Sequence, residues 1–186
     1  MRGKASGRIF GGFAALALCA VAVLVAVLAV AQEQPFTGQW LAEPSHDLAQ
    51  PADQIHFTLR YRSENLTGGW WDSMNGFNLA PGELQGLAAA DISGSGSHVQ
   101  FKLVRDAGSF DCDGWFKAGA GSGHFTFVPN ANFTAELKRR GMDEPTPREQ
   151  IQLALSNAGL GLIDELRAEK YEPFTTSDLV KMGITA

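Results

Sequence analysis

The sequence predicts an α+β protein: an antiparallel β domain, then short helices, behind an N-terminal signal or anchor helix. Three observations predict it. Residues 1–31 run from basic to apolar to small, the stretch from Phe36 to Phe127 alternates with period two, and the chain from Asn132 onward has helical spacing. The expected division is therefore 1–31, 32–130 and 131–186.

The N-terminal segment carries Arg2, Lys4 and Arg8 with no acid before Glu33, and Ile9 to Val30 is uncharged. It ends Ala29-Val30-Ala31, with small residues where a signal peptidase reads, then turns polar at Gln32. This is the tripartite form of a secretory signal. Its apolar run exceeds the usual ~7–15 residues of such a signal and reaches the ~20 that span a bilayer. The two fates are cleavage at Ala31, giving a periplasmic or secreted protein, and retention as one N-terminal transmembrane helix. Both export residues 32–186, because the basic flank stays inside, and membrane contact is expected only through residues 9–30. Leu18, before Cys19, is too bulky for a lipoprotein cleavage site.

The exported part is acidic. Without Arg2, Lys4 and Arg8 it keeps 12 of the 15 basic residues against 20 acidic ones, a charge near −8. Such a chain is a poor partner for nucleic acid or anionic lipid. Cys112 is its single cysteine, so no intrachain disulfide forms and a packed core must hold the fold.

In the β region, Ile55, Phe57, Leu59 and Tyr61 alternate with His56, Thr58, Arg60 and Arg62. His98 to Leu103 repeats the pattern. Ser109 to Lys117 and Gly123 to Val128 read as two more strands joined by Ala118-Gly-Ala-Gly-Ser122. One-sided alternation marks antiparallel strands with one buried face, and Asp106-Ala-Gly108 fits a hairpin. Glu64 to Gly96 is broken by turn signals such as Asn75-Gly76 and Pro81-Gly82, giving one or two strands and a helical turn at Pro81 to Leu87. About six strands result, in a sandwich or partly open barrel, with a β-solenoid the alternative that the recurring Gly-x-Phe steps suggest.

The tail repeats. Glu136 to Ile151 aligns without a gap on Glu165 to Val180, at an offset of 29. In each copy a helix ends and a Thr opens the next with an acid three residues on: Thr146 with Glu149, Thr175 with Asp178. The first is a capping box, with Pro147 at the first helical position; the shorter Asp178 is expected to close its box less well. Four helices follow, at about 132–140, 147–157, 160–169 and 176–182, with breaks at Gly141 and Gly159. Each is too short to stand alone in water and must pack. The pair of hairpins reads as a structural cap or a protein-binding repeat.

Val99 to Phe116, Gly119 to Phe127 and Pro129-Asn-Ala-Asn-Phe133 resemble an extracytoplasmic module of bacterial penicillin-receptor-like metallopeptidase sensors, also found in small exported proteins. Asp178 to Ile184 is similar to the start of the short helical repeats that follow that module. The resemblance covers about 90 residues and implies an accessory or sensing module. The receptors' His-Glu-x-x-His helix is missing, so peptidase chemistry does not carry over.

The chemistry-bearing residues are His46, His56, His98, His124, Asp111, Asp113 and Cys112. Asp111 and Asp113 share one strand face, where paired carboxylates can bind a cation or shift each other's pKa; the plainer expectation is a solvated face with Cys112 buried opposite. His98 and His124 open neighbouring strands and, if they met Asp113, would form a zinc-like cluster. No Gly-x-Ser-x-Gly elbow and no phosphate loop is present, so neither catalysis nor a cofactor is expected. Phe36-Thr-Gly-Gln-Trp40 looks like the Gly-x-Trp strand of lipocalin-like barrels, which implies an apolar-ligand carrier with Trp40, Trp70, Trp71 and Phe77 around a cavity; the plainer expectation is that Trp40 plugs the hydrophobic core beside a tight glycine. The same rings, with one of Trp70 and Trp71 exposed, serve the leading expectation, a non-catalytic module that contacts an envelope protein or glycan. A metal-dependent enzyme ranks third.

Overall fold

The computed structural model describes residues 36–45, 54–64, 70–171 and 173–185, with the side chains of residues 63, 64, 70, 71, 184 and 185 left aside. The signal or anchor segment lies outside the described residues, as does His46. Among the described residues no helix is long and apolar enough to cross a membrane. Pro35–Ala186 forms one compact unit, sheet and helices together.

Seven antiparallel strands make one sheet: β1 (Thr37–Pro44), β2 (Ile55–Glu64), β3 (Trp70–Leu79), β4 (Leu84–Gln85), β5 (Ser97–Arg105), β6 (Gly108–Lys117) and β7 (Ala120–Pro129). Their order is β3-β2-β1-β7-β6-β5-β4, so two meanders join where β1 pairs with β7. The count exceeds the expected six through the two-residue β4, too short to leave a period in the sequence. A single sheet with antiparallel pairing throughout replaces both the sandwich and the solenoid.

The sheet curls without closing. Laid flat, seven strands would hold β3 and β4 about 29 Å apart at ~4.8 Å per step. From Leu79 to Leu84 the chain has five residue steps, which reach at most about 18 Å. The 3-10 turn Pro81–Glu83 fills this link, and helix α1 (Ala89–Ser93) follows β4.

Glycine makes the curl possible, and aromatic rings fill what it leaves. On the inner face a Cβ at Gly123 would sit 2.7 Å from Trp40 Nε1, and one at Gly114 would sit 2.6 Å from Trp40 Cζ2. The Trp40 indole lies across β6 and β7, and its Nε1 donates to the Asp113 carbonyl at 3.2 Å. Phe116 covers Gly121 and Phe127 covers Gly108 in the same way. The Gly-x-Phe steps are thus glycines and rings of one inner face, which bends a sheet without leaving voids. Trp40 is 1% exposed, stacked on Phe116 at 5.4 Å and on Phe57 at 6.0 Å, with Phe101 edge-on at 5.1 Å.

Helices α2 (Ala131–Arg139), α3 (Pro147–Leu155), α4 (Leu160–Ala168) and α5 (Thr176–Thr185) fall within a few residues of expectation. Their Phe133, Leu137, Ile151, Ile163 and Leu179 share the sheet's own core. The two-residue β5–β6 turn locks them in place. Asp106 accepts from the Leu160 N–H at 2.8 Å, capping α4 where Gly159 has no side chain to offer, and Gln150 donates to the Ala107 carbonyl at 2.9 Å. The repeat is structural too: Gly141 and Lys170, 29 apart, both have positive φ (74° and 63°), and the Met142 and Tyr171 amides close the same bond, to Leu137 and Leu166. Asp178 closes its capping box fully, contrary to expectation. Thr175 N–H and hydroxyl both donate to it, at 3.0 and 2.8 Å, and its own N–H donates back to Thr175 Oγ1 at 3.2 Å. These bonds, backbone first, hold the Asp178 carboxyl down at about 2.

Candidate functional site

Parity decides which side chains reach solvent. Because strand side chains alternate, the inner-facing Phe110, Cys112 and Phe116 of β6 leave Asp111, Asp113, Trp115 and Lys117 outside. Cys112 is buried, and burial, reinforced by the Asp111 charge, pushes its thiol pKa up and away from reactivity. Trp115 is 61% exposed on the outer face.

Register then assembles a row of polar groups beside that ring. His98 lies opposite Trp115, and their rings meet edge-on at 5.4 Å and 68°. Asp113 lies opposite Gln100 on β5 and His124 on β7. Gln100 Nε2 donates to Asp113 at 2.8 Å, and His98 Nε2, in the tautomer with its proton there, donates at 3.2 Å. These bonds, Gln100 first and His98 second, hold the Asp113 carboxyl below its ordinary range. One step along, Lys102 pairs with Asp111 at 2.7 Å and Ser109 donates to the same carboxylate at 2.9 Å. The two aspartates share a face, as expected, but each is occupied by its own partners.

The outer face continues across β7, β1, β2 and β3 into a groove of about 440 Å³ lined by Gln39, Leu41, Arg60, Met74, Ser122 and His124. Met74 is 75% exposed and Leu41 45%. At the groove's end Arg62 grips both Asp72 oxygens, at 2.9 and 3.1 Å, which lowers the Asp72 pKa. Arg60 lowers it further by its charge alone, and among the described residues Arg60 makes no ion pair.

Of the expected contact residues, Trp40 belongs to the core. Phe77 is partly buried against it, 6.0 Å from Phe57. Trp70 and Trp71 begin β3, with side chains outside the described residues. His56 pairs with Asn78 at 3.1 Å on the β2–β3 pair, away from His98 and His124. His98 and Asp113 do meet, with His124 across the strand, yet among the described residues no three His, Cys, Asp or Glu form a group that could hold a metal ion. The residue missed was Trp115. Its signal was in the sequence: it shares parity with Asp111, Asp113 and Lys117 in a strand whose other parity is apolar.

No family model, no curated protein and no solved structure matches the chain.

Proposed function

We propose that this chain is an exported, non-catalytic binding module of the bacterial envelope, accessory to a signalling system, that meets its partner on the outer face of the sheet. The observation that carries the reading is Trp115: a large ring 61% exposed among groups already oriented by hydrogen bonds. A buried ring stabilises a fold, whereas a ring held in water beside preset polar groups is the usual composition of a recognition surface. The export half rests on the basic, apolar and small order of residues 1–31. Carriage of an apolar ligand is the weaker reading, since cargo beneath Trp40 would have to displace Phe57, Phe101 and Phe116.

Photocrosslinking from the Ser122 position, which lies opposite Trp115 in the register, tests this in intact cells. The expected result is one dominant envelope adduct that the Trp115→Ala variant loses. No adduct from this position, with the protein exported and folded, would overturn the proposal.

A further inference from the structure

We infer that the outer face is a binding site for an acidic oligosaccharide, with Trp115 as the stacking platform and Arg60 as the carboxylate anchor; this rests on the binding-module reading above. The first argument is the composition of the face. Leu41, Met74, Val104, Trp115 and Val128 are the exposed large apolar residues of its strands, and the cross-strand partners of each are polar: Thr58 and Ser122, Arg60, Ser109, His98 and Ser122, and Ser109. The fully buried centre of a protein interface is instead contiguous and apolar, with charge depleted. A pyranose ring suits the present arrangement. One side of it is a flat array of C–H bonds that packs on an indole, while its edge hydroxyls both donate and accept.

The second argument is the matching of those hydroxyls. Asp113 is ionised and takes bonds from Gln100 and His98 on its β5 side, and with two oxygens and about four lone-pair sites it still has acceptor capacity. His124, Gln39 and Ser122 supply further donors and acceptors toward the groove. A short polar chain lying across the strands would meet these groups in succession.

The third argument is charge. The exported part is strongly acidic, yet the groove lining holds Arg60 and His124, and the carboxylates at its two ends are already bonded, Asp72 by Arg62 and Asp113 by Gln100 and His98. Arg62 satisfies Asp72 with two bonds and Arg60 acts on it by charge alone, so among the described residues the Arg60 guanidinium holds no ion pair, and its fork matches an external carboxylate bidentately. Arg60 on β2 and Trp115 on β6 are three strand steps apart, about 14 Å at ~4.8 Å per step. That span calls for several linked sugars, with the acid displaced from the stacked ring.

The test uses the full chain as isolated from cells, with trigalacturonic acid as probe and its methyl ester as the neutral control, followed by tryptophan fluorescence and calorimetry. The acid is expected to bind saturably. Trp115→Ala should weaken both ligands at least tenfold, whereas Arg60→Gln should weaken the acid about tenfold and leave the ester unchanged, a split that misfolding would not produce. Absence of saturable binding to either sugar, with native circular dichroism, would overturn the inference. If the crosslink from Ser122 nevertheless holds a protein without glycan, the binding module stands and only the saccharide assignment falls. Equal loss of both ligands in Arg60→Gln would overturn the anchor role.

Discussion

Along β6, Phe110, Cys112 and Phe116 alternate with Asp111, Asp113 and Trp115, and the two sets differ in what a substitution can change. On the inner side Phe116 lies on Gly121 of β7, Phe127 lies on Gly108 of β6, and Trp40 lies on Gly114 and Gly123, so ring and glycine form fitted units in which neither tolerates change alone. On the outer side the groups meet as hydrogen-bonded pairs in water, each weak and replaceable. Contact with water separates the side that determines the fold from the side that is free to evolve a ligand.

The sharpest way to break this contrast is Gly123→Val. The new side chain would enter the space of the Trp40 indole and the neighbouring backbone of β6, which cannot retreat as a flexible side-chain end would. A cost above about 4 kcal/mol is expected, seen as loss of a cooperative urea transition. A variant melting within a few degrees of the wild type would show that the glycines are not fitted to the rings. Next in size is Trp40→Ala, which removes a ring packed on Phe57, Phe101 and Phe116 and should cost about 3–5 kcal/mol in chemical denaturation.

The inner side was also the more legible one. Alternation at Ile55 to Tyr61 and Val99 to Leu103 marks buried faces directly, and the Thr146 and Thr175 caps give helix starts because they use local chemistry. What escaped was nonlocal. Asp106 looks like any hairpin residue until α4 brings Leu160 to it, and the two residues of β4 carry no period. Trp40 was visible as a core plug beside a tight glycine, but not which strands lay beneath it. On the outer face, parity placed Asp111 and Asp113 together, whereas the meeting of Asp113 with His98, Gln100 and His124 depends on register between strands up to 15 residues apart.

A smaller effect distinguishes the faces by pH. The Asp113 carboxyl titrates below its ordinary value because Gln100 and His98 bond its charged form. A depressed folded pKa contributes stability above the unfolded value and loses it as pH falls through the folded one. The melting temperature of the wild type should therefore exceed that of Asp113→Asn by a small margin at pH 6–7, the margin closing toward pH 3. The Trp40→Ala deficit should not change in this way, since no titrating group enters it. A margin that widened on acidification would mean that Asp113 is not held by these bonds.

The smallest stability effect is expected at the second tryptophan. Trp115 is as large as Trp40 but 61% of it meets water, and its ring partner among the described residues is His98, itself half exposed. Truncation leaves no cavity, because solvent already occupies the far side of the ring. Trp115→Ala should thus shift unfolding by no more than about 0.5 kcal/mol, against the several lost at Trp40. If it cost 2 kcal/mol or more, the ring would be bracing the β5–β6 pair and its exposure would need no ligand to account for it. If it is neutral, stability does not explain why so large an apolar ring stands in water beside an oriented carboxylate, and recognition is the remaining physical reason.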